Sequence, residues 1–465
     1  MRQPTTARPS VWPHLQPLLL AVTATCRQQR TGELLLTLCV GLLQALGRHT
    51  LTQVLAGLGR GECDWSAAYR LFRQARLDLA AGRHALLAQL LALMPAEQPV
   101  VVVLDGTQLP RTSRRFVGVS WLKAPRTPAW RPGIHPAQRW VGLSALLPRS
   151  AAGDSRAVPL SFTPAPAPTA TPWPGQPPRK EWEAGRDALQ QTRTDLDAAG
   201  RAAQPLLAVA DSSYGGAPLR TALPAGVLLL TRCAKNRALY ALPPPPPPGQ
   251  RGRRRRYGAR LPTPHTYWQE RAGWQRVVVT VRGRTIPLTV RVVGPCLIKP
   301  APTCPLFLLA VRGIDQRRRG RIVQRDPTFW LVSAVPGEDG TWVRPLPVAE
   351  LLAWAWQRWE VEVMHRELKS GFGLGEQQAW HPVAALLVIQ WVVWVYACLV
   401  LAGYLAWGWQ QVGSGPRWWR GRRWTARSVA QQVRRELWAL EAVTFCPAWV
   451  RIPPNATEIR SPACP

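Results

Sequence analysis

Acidic residues are scarce in this chain, and their placement is informative. Of 465 residues, 59 are Lys or Arg and only 26 are Asp or Glu. Two aspartates follow continuous apolar runs. Residues 99–104 read PVVVVL and lead into Asp105; residues 205–210 read PLLAVA and lead into Asp211. Runs this apolar predict strands buried on both faces. The carboxyl ends of such strands are where ligand sites collect in open α/β sheets. A single Asp there also serves as an N-cap or turn residue. A third acid comes from residues 346–370, LPVAELLAWAWQRWEVEVMHRELKS, which the spacing predicts to be one long helix. Arg358, Glu362, His365 and Lys369 fall at i, i+4, i+7 and i+11 and share a face. Three carboxylates are the minimum for a two-metal centre, in which paired Mg²⁺ ions drive in-line phosphoryl transfer. The plainer reading of the helix is a row of solvated i,i+4 ion pairs. Glu360 and Glu367 lie about 200° and 140° around the helix from Glu362, so Glu362 is the acid expected to face the aspartates.

The elements that must hold these residues can be read along the chain. Residues 1–95 predict short helices, including 31–46, 50–59 with a Thr start and Gly stop, 65–76 with a basic face, and 80–94. They suit either a helix-turn-helix-like DNA reader or a plain helical bundle. Strands are expected at 99–104, 115–122, 140–147, 205–210 and 226–231, with a Pro-rich loop at 159–178 and a charged helix at 180–199. Interleaved strands and helices make an α/β layer. Residues 236–345 change character: a proline run at 243–248, the basic stretch GQRGRRRRYGAR at 249–260, then alternating runs at 274–281, 285–293, 306–312 and 328–335. These predict a β-rich insertion. The expected units are therefore 1–95, 96–235, 236–345, 346–410 and 411–465.

The net charge is 59 − 26 = +33 and the pI is about 11.4. That balance disfavours an enzyme of small neutral substrates and favours a polyanion, most often nucleic acid. Part of the excess reflects an Arg-rich, Lys-poor composition of the kind a GC-rich coding bias produces. Arg253, Arg254, Arg255 and Arg256 form one basic cluster, and Arg420, Arg422 and Arg423 lie among tryptophans in another. Both are expected to grip DNA without sequence preference, the second with indoles for stacking. Nine scattered cysteines without a CxxC pair argue against a disulfide framework or structural zinc, and point to a reducing cytosol. Residues 383–407 are long and apolar enough to span a bilayer. They stand alone and contain Gln390, so a buried core helix is expected and no membrane partner.

Arg358-Trp-Glu-Val-Glu362, followed by six residues and Lys369, resembles the Arg-x3-Glu-x6-Lys element of bacterial insertion-sequence transposases of the DDE superfamily. The order Asp105, Asp211, β-rich insertion, Glu362 is similar to the subgroup with that insertion. The resemblance spans roughly residues 30–410. It implies a ribonuclease-H-like mixed sheet with flanking helices, interrupted by the insertion, plus a helical N-terminal DNA-binding region. It implies that Asp105, Asp211 and Glu362 hold two Mg²⁺ ions, with Mn²⁺ as a substitute, and that Arg358, His365 and Lys369 lie near DNA phosphates. Its implied partners are double-stranded DNA, as inverted-repeat ends and target, and a second copy of the chain; its implied place is the cytoplasm, at the nucleoid. The family's Tyr, three residues before the Arg, is Ala355 here. Three other readings compete: an inactive DNA-binding remnant, a ribonuclease-H-like nuclease without strand transfer, and a membrane protein anchored by residues 383–407.

Overall fold

A computed structural model describes residues 9–124, 127, 128, 130, 131, 133–245, 254–313, 315–318, 321–324, 326–409 and 423–440. Five helices come first: α1 (Trp12–Thr23), α2 (Gln29–Gln44), α3 (Leu51–Gly57), α4 (Ser66–Arg73) and α5 (Leu79–Leu91). Thr50 caps α3 by accepting from the Gln53 amide, and Asp78 caps α5 through the Ala80 and Ala81 amides. The sheet follows, with β1 (Val100–Pro110), β2 (Val119–Lys123), β3 (Ile134–Leu146) and β4 (Ala157–Pro164), then α6 (Glu181–Ala198), β5 (Leu206–Ala210), α7 (Ala217–Thr221) and β6 (Val227–Arg232).

The next segment is β-rich. It contains β7 (Leu239–Ala241), β8 (Arg260–Leu261), a short α8 (Pro264–Gln269), β9 (Trp274–Val281), β10 (Arg284–Ile298) and β11 (Ala301–Val311). A hairpin of β12 (Asp315–Arg318) and β13 (Arg321–Gln324) precedes β14 (Thr328–Ser333), and β15 (Val335–Pro336) pairs with β16 (Trp342–Val343). Four helices finish the described chain: α9 (Val348–Gln357), α10 (Trp359–Gly371), α11 (Pro382–Trp407) and α12 (Ala426–Leu440).

Twelve strands form one mixed sheet in the order β2-β3-β1-β5-β6-β14-β11-β10-β7-β8, with β4 also on β3 and β9 also on β10. Strands β1, β5 and β6 run parallel, and β3 runs antiparallel to β1. The β-rich segment is not a sheet apart. β14 pairs with β6 through Trp330, Leu331 and Val332, so the insertion lengthens the first sheet across that edge. An exposed edge is a pairing template, and β14 occupies it.

The apolar segment at 383–407 is α11, the central helix of the core, with 89% of its most apolar window buried inside the protein. Its one strongly polar residue is satisfied at a sheet edge: Gln390 donates to the Leu160 carbonyl and accepts from the Phe162 amide, both on β4. Helices α1, α2, α4 and α5 pack on α11. α5 approaches closely because Gly82 has no side chain; a Cβ there would lie 2.4 Å from the Trp394 ring. The last described helix fastens the first two. Glu436 of α12 accepts from the Val11 and Trp12 amides at the start of α1, which has no side-chain cap of its own. Arg434 donates to the Leu43 and Ala45 carbonyls at the end of α2.

Candidate active site

Strand β1 is fully buried over residues 100–104 because β3 and β5 flank it there. The pairing with β5 stops at Leu104 beside Ala210, while β1 runs on along β3 to Pro110. Asp105 therefore stands in mid-strand, where one neighbour ends, rather than at a strand terminus. Asp211 follows the last residue of β5 and caps a single 3-10 turn at Ser212–Tyr214, accepting from the amide and hydroxyl of Ser213. The parallel register ends at Leu104 beside Ala210, so the two aspartates are the next residues on neighbouring segments.

Helix α10 lies along β1. The predicted single helix is two, broken at Arg358, which serves as C-cap of α9 and N-cap of α10 while keeping helical dihedrals. Its guanidinium stands between two acids, 3.7 Å from Asp105 Oδ1 and 2.8 Å from Glu362 Oε1. His365 Nδ1 is 3.4 Å from Asp105 Oδ2. Lys369 Nζ donates to the Gln108 carbonyl three residues further along β1. The face carrying Arg358, Glu362, His365 and Lys369 is thus the one turned toward β1.

A fourth carboxylate joins this group. Glu181 opens α6 and leans on the backbone of Gly106, where a Cβ would lie 2.8 Å from its Oε2. Arg139 Nε is 3.6 Å from its other oxygen. Burial pushes the Glu181 carboxyl above its ordinary range; Arg139 opposes this, and the charges of Asp211 and Asp105 add to it. Beside them Tyr214 is 1% exposed, and its hydroxyl has no partner among the described residues. Burial, then the charges of Glu181, Asp105 and Asp211, hold that phenol well above its usual value.

A family model described as DDE superfamily endonuclease matches residues 19–288, more than half of the chain. The chain belongs to that family. Among curated proteins none matches the sequence. Membership makes this DDE endonuclease a nuclease-type enzyme with DNA as its substrate, and enzymes of the superfamily generally use divalent metal ions. The match takes in Asp105, Glu181 and Asp211 and ends before α10. The donor set fits a hard cation: every candidate ligand is a carboxylate oxygen, and a positive group, the Arg358 guanidinium, already lies between Asp105 and Glu362. Among the described residues no three of these side chains converge closely enough to hold one ion.

The other singled-out residues lie elsewhere. Glu360, two positions from Glu362, is 1% exposed and points away into a cage of Arg282 (2.6 Å), Arg423 (2.9 Å) and Arg156 (4.0 Å). Arg423 also pairs with Asp154 at 3.2 Å, so it serves the interior of the DDE endonuclease. Glu367 accepts from the Tyr396 hydroxyl and the Ala426 amide, tying α10 to α11 and α12. Arg254, Arg255 and Arg256 are exposed just before β8, seven strands from β1, or roughly 30 Å along the sheet. Arg253, Arg420 and Arg422 lie outside the described residues. Ala355 is buried, and its neighbour Trp354 packs under Arg149 and donates to Glu350.

Proposed function

We propose that this DDE endonuclease is a DNA transposase. It binds the inverted-repeat ends of its element, nicks each end by hydrolysis and joins the freed 3′-OH to target DNA by transesterification. The observation that carries the reading is the position of Asp105 and Asp211 directly after the last β1–β5 pair, Leu104 and Ala210, with Arg358 bridging Asp105 and Glu362. The strand order β4-β3-β1-β5-β6, with only β3 reversed against its β1 neighbour, supports a ribonuclease-H-like core carrying a β-rich insertion.

Asp105, Asp211 and Glu362 are the residues that would hold two Mg²⁺ ions, with Mn²⁺ as a substitute. When bound, such a pair activates the attacking oxygen and stabilises the leaving oxygen of an in-line displacement. The chain's own side chains do the rest. Arg358 balances Asp105 and Glu362 and is the guanidinium placed to take a phosphate oxygen in their stead. His365 orients Asp105, and Lys369, anchored on β1, extends the basic face along the DNA path. Arg254, Arg255 and Arg256 supply grip far from the reacting bond. A homodimer acting on two ends in the cytoplasm, at the nucleoid, completes the proposal.

The test is Mg²⁺-dependent nicking of a duplex bearing the element's end, followed by joining of a pre-cut 3′-OH end to a plasmid. Asp105→Ala abolishes both steps and leaves duplex binding standing. Nicking without joining reduces the reading to a nuclease; binding with neither step makes the chain an inactive remnant.

A further inference from the structure

The three-stranded ribbon of β1, β3 and β2 continues outward past Asp105, and its outer edge carries a pocket of about 570 Å³. Ser113, Arg114, Arg115, Ser120, Trp121 and Thr171 line it, and among the described residues no carboxylate does. Trp121, on the edge strand β2, is 53% exposed, and the Arg114 guanidinium lies 5.7 Å from its ring centre. Arg114 and Arg115 are both exposed. An exposed indole with a guanidinium over its ring offers a stacking surface beside a positive charge.

The pocket is built rather than incidental. Thr171, in the Pro-rich loop, donates through its hydroxyl to the Arg114 carbonyl, and its backbone pairs with Gly118 and Val119 on both sides. Beneath, Gly118 leaves room for Trp173, which donates to the Pro382 carbonyl and seats the wall on the start of α11. Phe116 stacks on Trp380 at 3.9 Å. The floor also connects to the catalytic strand: Gln108, whose carbonyl holds Lys369, donates to the Lys123 carbonyl at the end of β2.

We propose that this pocket binds one unpaired nucleotide of the DNA strand, its base on the Trp121 indole and its phosphate between Arg114, Arg115 and the Ser and Thr hydroxyls. The proposal rests on the reading of the chain as a DNA-processing enzyme and adds the substrate form that the enzyme prefers. An indole face reads any base by stacking, but only a base freed from its duplex presents that face. Two guanidinia and several hydroxyls in one concave wall, with no acid, match a phosphodiester.

The experiment compares binding of a blunt duplex and the same duplex with a short single-stranded overhang, in Ca²⁺ to prevent turnover, by full-length protein. One stacked base is worth about 1–3 kcal/mol, so the overhang binds roughly 5-fold to 100-fold tighter. Trp121→Ala removes that preference and leaves blunt-duplex affinity and Mg²⁺-dependent nicking of the blunt duplex unchanged. Trp121→Phe keeps most of it. Arg114→Gln with Arg115→Gln weakens overhang binding and flattens its salt dependence. An overhang preference that survives Trp121→Ala overturns the proposal while nicking stands, as does an equal affinity of wild type for both DNAs. A free deoxynucleotide binding as tightly as the overhang would also overturn it, making the pocket a mononucleotide site. Loss of nicking in the wild type fails the functional reading instead.

Discussion

Glu360→Gln separates the interior of α10 from its catalytic face. Glu360 is 1% exposed and faces Arg282 at 2.6 Å, Arg423 at 2.9 Å and Arg156 at 4.0 Å. Removing one partner of a buried ion pair costs about 3–5 kcal/mol, because the other charge is left uncompensated. Arg282 and Arg423 are 37% and 23% exposed and rehydrate in part, and Arg423 keeps Asp154. Arg156, 8% exposed, keeps the nearby charge of Glu367 and the Trp424 carbonyl. The lower end, about 3 kcal/mol, is the figure expected. With an unfolding entropy of about 2.1 cal/mol/K per residue over the whole chain, that lowers Tm by roughly 3 °C. Burial raises the Glu360 carboxyl, but Arg423, Arg156 and Arg282 together outweigh it and hold it below its ordinary value. A depressed carboxylate contributes stability that is present above about pH 4.5 and is lost as pH falls through the depressed value. The gap between wild type and variant is therefore full at pH 7 and closes in acid below pH 4.5. Thermal denaturation at pH 7 and at stepwise lower pH measures it, with nicking at 25 °C alongside. A variant as stable as wild type at pH 7, or one folded yet unable to nick, would refute the assignment of Glu360 to the scaffold.

Glu362→Gln keeps Tm within about 1 °C of wild type, because its pair with Arg358 is partly exposed, but lowers nicking by orders of magnitude; equal nicking rates would sink its role. Glu181→Gln raises Tm in metal-free buffer at pH 7: a carboxyl raised in the folded state stabilises only below its unfolded value, and its ionised form is a cost at neutral pH. A lower Tm would mean that the contact with Arg139 outweighs burial and the two aspartates. Gln390→Leu, which strands the Phe162 amide and Leu160 carbonyl it now satisfies, destabilises by about 1–3 kcal/mol in a denaturant titration despite being the more apolar residue. Affinity for any duplex falls steeply between low and physiological salt, as several arginines exchange counterions; a flat dependence would count against electrostatic grip.

Asp105 and Asp211 stand out in the sequence because each is the first polar residue after a short, unbroken apolar run. The shared face of Arg358, Glu362, His365 and Lys369 is legible for a similar reason, since helical geometry alone aligns them. Glu181 was missed because an acid at the start of a helix already has a reason to be there in the macrodipole. Its other reason lies across the sheet, where Gly106 clears a space; glycine within a strand was the available signal. Arg423 read as part of an exposed basic run, and only tertiary packing sets it against Glu360 and Asp154. The insertion strands were placed well individually, at Trp274–Val281 and Thr328–Ser333 for example. The partner of the last of them, β6, lies about a hundred residues before β14, which periodicity does not encode.

The clasp between α12 and the first two helices has a bearing on synthesis. Glu436 and Arg434 close the termini of α1 and α2, and α11 supplies the core on which four of the first five helices pack. Those helices leave the ribosome first, yet the groups that complete them emerge about four hundred residues later. The amino-terminal part of the nascent chain thus waits, incompletely buried, through most of translation. A chain stopped before α11 lacks both the core helix and the clasp.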